Sequence, residues 1–100
     1  MLNLWVDDIR LPPAKNYMWA KIYDKAVALI DEFSFDIISL DHDLGDYSGP
    51  DGREMTGYDV LMFIVEQKLA NLLPIYTIVT VHSANPVAID RMSGVIERYL

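Results

Sequence analysis

The stretch Ile38-Ser39-Leu40-Asp41-His42-Asp43-Leu44-Gly45, ISLDHDLG, places an Asp-His-Asp triplet directly after a short apolar run. A run of this length closed by a glycine reads as a buried strand. Two carboxylates around an imidazole are a costly way to end such a strand unless other groups answer their charge. Two further runs end in a similar way. Leu2 to Val6 stops at Asp7-Asp8, and Ile75 to Val81, rich in Ile, Val, Thr and Tyr, stops at His82-Ser83.

The segments between them complete an alternating pattern. Arg10 to Tyr17, RLPPAKNY, cannot form an ordinary helix, because Pro12 and Pro13 fix φ, remove two donors and push Leu11 towards extended geometry. Trp19 to Tyr23 is expected as a second short strand. Asp24 is expected to cap a helix whose Ala26, Leu29, Ile30 and Phe33 share one face. Asp36 to Leu40 is the strand that delivers the triplet. A polar loop, GDYSGPDGREM, leads to Thr56 as a helix cap with Asp59 three residues on. Val60, Leu61, Ile64, Val65 and Leu69 make that helix amphipathic. Asn85-Pro86 opens a last helix with Met92, Val95, Ile96 and Tyr99 on one stripe.

Strands alternating with helices predict an α/β domain with a parallel sheet and right-handed crossovers. Ligands of such sheets bind beyond the carboxyl ends of the strands, where the strand order switches. Asp7-Asp8, Asp41-His42-Asp43 and His82-Ser83 would then line one crevice.

Composition sets the outer bounds. One hundred residues, 52% hydrophobic and 23% charged, suit a single globular domain over residues 1–100. No apolar run approaches the roughly 20 residues of a membrane span. The start, MLNLWVDD, lacks a basic segment and meets aspartates too early for a signal peptide, so a cytoplasmic location is expected. Without cysteine there is no thiolate metal site. A formal charge of −7 argues against a broad duplex-binding surface but leaves room for a small phosphate ligand.

With these residues in place the chain resembles a receiver domain of the flavodoxin-like type. Asp7-Asp8 matches the acidic pair, Asp41 the phosphoacceptor aspartate, Gly57-Tyr58-Asp59-Val60-Leu61 the start of a later helix, and Ser83-Ala84 the hydroxyl-alanine pair after the fourth strand. DDIRLPP, LDHDLG and VHSANP together resemble the cyclic-phosphate processing receiver domains of bacteria and phages. The resemblance implies a short parallel sheet in the order 2-1-3-4, without the receiver's first helix, its fifth strand and helix, or the lysine that follows that strand. His42 and His82 have no counterpart in signalling receivers.

The crowded carboxylates cannot all stay ionised side by side, so either some are protonated or a cation neutralises them, and oxygen-only ligands suit Mg²⁺, Mn²⁺ or Ca²⁺. Asp7, Asp8 and Asp41 are the expected ligands, and Mg²⁺ or Mn²⁺ the expected ion. Asp41, His42 and His82 are the candidate catalytic groups, with the two imidazoles as general acid and base across a phosphate site. Arg10, Asp43, Arg53, Ser83, Asn85 and Arg91 are the candidate substrate contacts, and the Asp46 to Met55 loop a candidate lid. The expected activity is a cation-dependent phosphoesterase acting on a cyclic phosphate, either an RNA 2′,3′-cyclic phosphate end or a cyclic nucleotide. The alternative is a non-catalytic receiver-like module that accepts a phosphoryl group or binds a partner. With the first and fifth helices missing, one face of the sheet is expected to need cover from Leu11 to Trp19, the last helix or a second copy in a homodimer.

Overall fold

The computed structural model describes all 100 residues. In chain order it consists of β1 (Asn3–Val6), β2 (Tyr17–Ala20), α1 (Tyr23–Glu32), β3 (Ile37–Leu40), a short 3₁₀ turn (Pro50–Gly52), α2 (Gly57–Leu69), β4 (Ile78–Val81) and α3 (Pro86–Tyr99). The four strands are all parallel, in the order β2-β1-β3-β4. Their registers align Val6, Ala20, Leu40 and Val81 as the last residues of the sheet. The groups that follow therefore emerge side by side.

This is the truncated receiver-like, flavodoxin-like α/β architecture. The two helical crossovers, from β2 to β3 and from β3 to β4, step across the sheet in the same direction, so right-handedness puts α1 and α2 on one face. The last helix joins them there, packing against α2 and β4. Period-two alternation sends Leu4, Val6, Ala20, Ile38, Leu40 and Val79 into this layer, against Ala26, Leu29, Ile30, Val60, Leu61, Ile64 and Met92. Each large side chain removed from water in this way contributes about 1.5–3 kcal/mol.

The second face has no helix on it, and its own side chains do the covering. Trp5, Tyr17, Trp19 and Ile37 are half-buried there, and Asn3 and Ser39 are buried. The indole N–H of Trp5 donates to the carbonyl of Arg10 at 2.9 Å, and that of Trp19 to the carbonyl of Asp7 at 2.7 Å. Two large aromatic rings thus hold the chain that follows β1 along this face. Of the covers expected above, the last helix lies on the opposite side, and the bonds to this face come from Asp7 and Arg10, ahead of the two prolines.

Several local expectations shift. The second strand is Tyr17–Ala20 rather than Trp19 to Tyr23, because pairing with β1 sets its limits. The helix α1 starts at Tyr23, so Asp24 lies inside its first turn and caps nothing. The cap comes from another part of the chain: Asp46 Oδ2 accepts the Tyr23 N–H at 2.9 Å, and Oδ1 accepts the Ser48 N–H at 3.1 Å. Phe33 closes α1 and is exposed, while Phe35 takes the core position. The last helix matches its prediction more closely, with Asn85 Oδ1 accepting the Ala88 N–H at 3.2 Å and Pro86 at its first position.

The loop expected as a lid is tied down. Asp46 and Met55 form a bridge and both are buried. At its far end the Gly57 N–H donates to the His42 carbonyl at 2.8 Å. The start of α2 lies so close to the end of β3 that a Cβ built on Gly57 would overlap the Asp41 carbonyl oxygen. Only glycine lets the two backbones approach in this way.

Two substitutions test this frame. Burial pushes the Asp46 carboxyl up, but the Ser48 hydroxyl and the Tyr23 and Ser48 amides outweigh it and hold its pKa below the usual value. Its stabilisation is therefore present above the ordinary carboxyl pKa and is lost as pH falls through the lowered one. Asp46→Ala is expected to cost about 2 kcal/mol at pH 7, a cap plus a loop anchor. That cost should shrink towards zero on acidification in chemical denaturation. Gly57→Ala should cost about 3 kcal/mol or more, as an overpacked backbone contact. An alanine variant as stable as the parent would show that the two elements can separate freely.

Candidate functional site

Beyond the carboxyl ends of β1, β3 and β4 lies an open crevice of about 490 Å³. Its walls carry Asp7, Asp8, Arg10, Asp41, Asp43 and Glu54, with Ile9, Gly45 and Ala84 between them. Five carboxylates thus face one guanidinium. Asp7, Asp8 and Asp41 converge most closely: one ligand oxygen from each lies within 4.8 Å of the others. The three residues that the sequence nominates as a ligand set are therefore together.

Asp7 and Asp41 are both buried, yet their environments differ. Asp7 Oδ1 accepts the N–H groups of Ile9 and Arg10 at 2.9 and 2.8 Å, turning the chain away from the sheet. Its Oδ2 accepts from His82 Nε2 at 3.0 Å. Burial raises the Asp7 pKa, but these donors outweigh it and hold it below the usual carboxylate value. Asp41 receives one amide hydrogen bond, from His42 N–H at 2.9 Å. Burial and then the neighbouring Asp7 charge push its pKa up, and the His42 amide, Arg10 and His82 only partly offset them. Arg10 Nη1 lies 3.6 Å from Asp7 Oδ2 and 3.9 Å from Asp41 Oδ1. One guanidinium shared between two carboxylates leaves excess negative charge in the crevice.

This donor set fits a hard divalent cation. All three converging groups are carboxylates, the geometry brings their oxygens together, and Asp41 is held in its ionised form only against repulsion. Asp7, Asp8 and Asp41 are the residues that would hold the ion.

The histidines occupy different places from those expected. His82 stacks on Trp5, with ring centroids 3.6 Å apart and planes 4° apart. Its Nδ1 is 2.6 Å from Ser39 Oγ and its Nε2 is bonded to Asp7, so both nitrogens are engaged. Burial holds its pKa below the ordinary value despite the favourable Asp7 contact, which keeps the ring neutral at pH 7. His82 therefore supports Asp7 rather than facing a phosphate as a free acid or base. His42 bonds through Nδ1 to Asp43 Oδ1 at 2.8 Å, and no hydrogen bond engages Nε2. Neither imidazole is among the groups lining the crevice.

Four of the proposed substrate contacts are used elsewhere. Arg53 pairs with Asp59 at 3.2 Å and reaches Met55 Sδ at 3.4 Å, tying the loop to α2. Arg91 lies over the Tyr58 ring at 4.0 Å, joining α3 to α2. Ser83 Oγ accepts the Asn85 N–H at 3.1 Å, and the Asn85 side chain is spent on its own helix cap. Arg10 and Asp43 do line the crevice. Glu54 is a lining residue that its polar loop gave no reason to single out. Trp5, Ser39 and Thr80 each stand two residues before a crevice or crevice-supporting group on the same face of their strands, a signal that period-two alternation carries.

The charge imbalance predicts a stabilising substitution. Because the folded state raises the Asp41 pKa, its ionisation opposes folding, and stability is lost as pH rises through the ordinary and then the raised carboxyl pKa. Asp41→Asn should raise the melting temperature at pH 7 in the absence of divalent cations. The gain should vanish at a pH low enough to protonate Asp41 in both states. Differential scanning fluorimetry across pH measures this, and a variant less stable than the parent at pH 7 would contradict it.

No curated protein and no solved structure matches the chain. The family model described as Cyclic-phosphate processing Receiver domain matches residues 2–98. A match over nearly the whole chain, together with a four-stranded parallel sheet that converges Asp7, Asp8 and Asp41 in one crevice, places this protein in the cyclic-phosphate processing receiver domain family.

Proposed function

We propose that this protein is a phosphoesterase dependent on Mg²⁺ or Mn²⁺ that opens or removes a cyclic phosphate, either at an RNA end or in a nucleotide. The observation that carries this reading is the carboxylate cluster of Asp7, Asp8 and Asp41, within 4.8 Å, on a member of this family. A phosphate alone would be repelled by walls that hold five carboxylates and one arginine. A cation held by Asp7, Asp8 and Asp41 supplies the missing charge and, when bound, polarises the phosphoryl oxygen.

The remaining roles follow from which groups are free. Arg10 is the one cationic side chain of the crevice and can contact a phosphoryl oxygen through its fork of N–H donors. His42, beside the crevice rather than in its lining and oriented by Asp43 through Nδ1, keeps Nε2 to take a proton from an attacking water or to give one to a leaving ribose oxygen. A second reading rests on Asp41 Oδ2, which accepts no hydrogen bond and could itself take a phosphoryl group.

One set of assays separates the two. Incubation with 2′,3′-cyclic nucleotides and with cyclic-phosphate-ended RNA is expected to give cation-dependent product, lost with EDTA. His42→Ala should lower turnover on the order of 10²-fold with little change in folding. Mg²⁺ or Mn²⁺ at millimolar concentration should raise the parent's melting temperature, and Asp8→Asn should remove most of that gain. Labelling of Asp41 by acetyl phosphate, with no cyclic phosphate consumed, would establish the phosphoacceptor reading instead.

A further inference from the structure

We propose that Ser39, Thr80 and Trp5, none of which lines the crevice, are positioning residues that fix the His82 ring and, through it, the Asp7 oxygen left to a cation. This rests on the cation site proposed above, and it assigns a function to the face of the sheet that no helix covers.

The His82 ring is held from three directions: the Trp5 indole stacked at 3.6 Å, Ser39 Oγ at 2.6 Å from Nδ1, and Asp7 Oδ2 at 3.0 Å from Nε2. The order of donors follows from Asp7, whose ionised carboxylate can only accept from His82 Nε2. Thr80 Oγ1 donates to Ser39 Oγ at 3.2 Å. With the Nε2 hydrogen given to Asp7, the neutral ring accepts at Nδ1, and Ser39 Oγ is the donor there while it accepts from Thr80. An imidazole that accepts at Nδ1 carries its hydrogen on Nε2, where it donates to Asp7. The two hydroxyls thereby reinforce the tautomer that Asp7 requires.

Asp7 shows what that tautomer achieves. Oδ1 takes two backbone amides and has no capacity left, while Oδ2 takes His82 and keeps one acceptor position. A ring with the opposite tautomer would turn an unshared electron pair towards this carboxylate and push Oδ2 out of place. The indole, parallel to the imidazole, keeps the ring in this plane. Partners of this outer kind around a metal ligand typically change affinity by about 10- to 100-fold when removed.

Mn²⁺ titration by calorimetry, with ¹⁵N spectra of the imidazole rings recorded without metal, tests the proposal on the full chain. The parent should bind Mn²⁺ and show His82 as the Nε2–H tautomer. Ser39→Ala should lower Mn²⁺ affinity about 10-fold or more and shift the tautomer signal. Ser39→Thr, which keeps the hydroxyl, should restore both. Thr80 is exposed, so Thr80→Val tests the upstream bond without disturbing the core, and a smaller loss in the same direction is expected. If Ser39→Ala does not fold, Thr80→Val decides the matter. Unchanged Mn²⁺ affinity and an unchanged His82 spectrum in the folded variants would overturn the positioning role and leave the cation site standing. A parent that binds no Mn²⁺ would overturn the cation site, and this proposal with it.

Discussion

The arrangement depends on one buried carboxylate being kept ionised. Asp7 is 1% exposed, and a charge that deep is tolerated only when its oxygens are hydrogen-bonded. The amides of Ile9 and Arg10 and the ring of His82 meet that requirement, so Asp7 ties the end of β1 both to the loop after it and to the end of β4. Asp41, beside it, receives much less support and carries the strain of two like charges in a poorly solvated place. The crevice is thus a site with one satisfied anion and one frustrated anion. Such a pair is expected where a protein stores negative charge for a cationic ligand.

A second consequence is mechanical. The chain segments around the crevice have little regular structure, so their position depends on single polar contacts. Asp46 caps α1 from across the chain and holds the loop after Asp43. Gly57 seats α2 against the Asp41 carbonyl. Arg53, pairing with Asp59, holds the same loop to the first turn of α2. A proposed substrate contact and a proposed lid are both part of this frame, which keeps the triad's separation set by backbone rather than by mobile side chains. The convergence of the three carboxylates depends on such rigidity.

The uncovered face of the sheet has a related logic. A parallel sheet normally buries both faces under helices. Here Trp5 and Trp19 lie on the second face and fasten the segment after β1 by their indole N–H groups. Trp5 does this while also stacking on His82, so the residues that cover the sheet are partly those that hold the site.

The sequence by itself determined the architecture and the identity of the carboxylate cluster. Alternating apolar runs and amphipathic stretches demand a parallel α/β sheet, and Asp7, Asp8 and Asp41 follow its strand ends directly, so strand register alone brings them together. Period-two alternation also carried the signal for Trp5, Ser39 and Thr80, each on the same face as the group two residues later. Only the tertiary structure decided the partners of the long and loop-borne polar side chains. Arg53, Arg91, Ser83 and Asn85 are near the right strand ends in sequence, but each is drawn to a nearer unsatisfied group: a carboxylate, an aromatic face or a helix amide. The capping of α1 by Asp46 and the double engagement of His82 likewise link residues 23 and 75 positions apart. A side chain's contact is set by competition among neighbours that exist only after folding, whereas a strand's direction is set by the pattern of the chain itself.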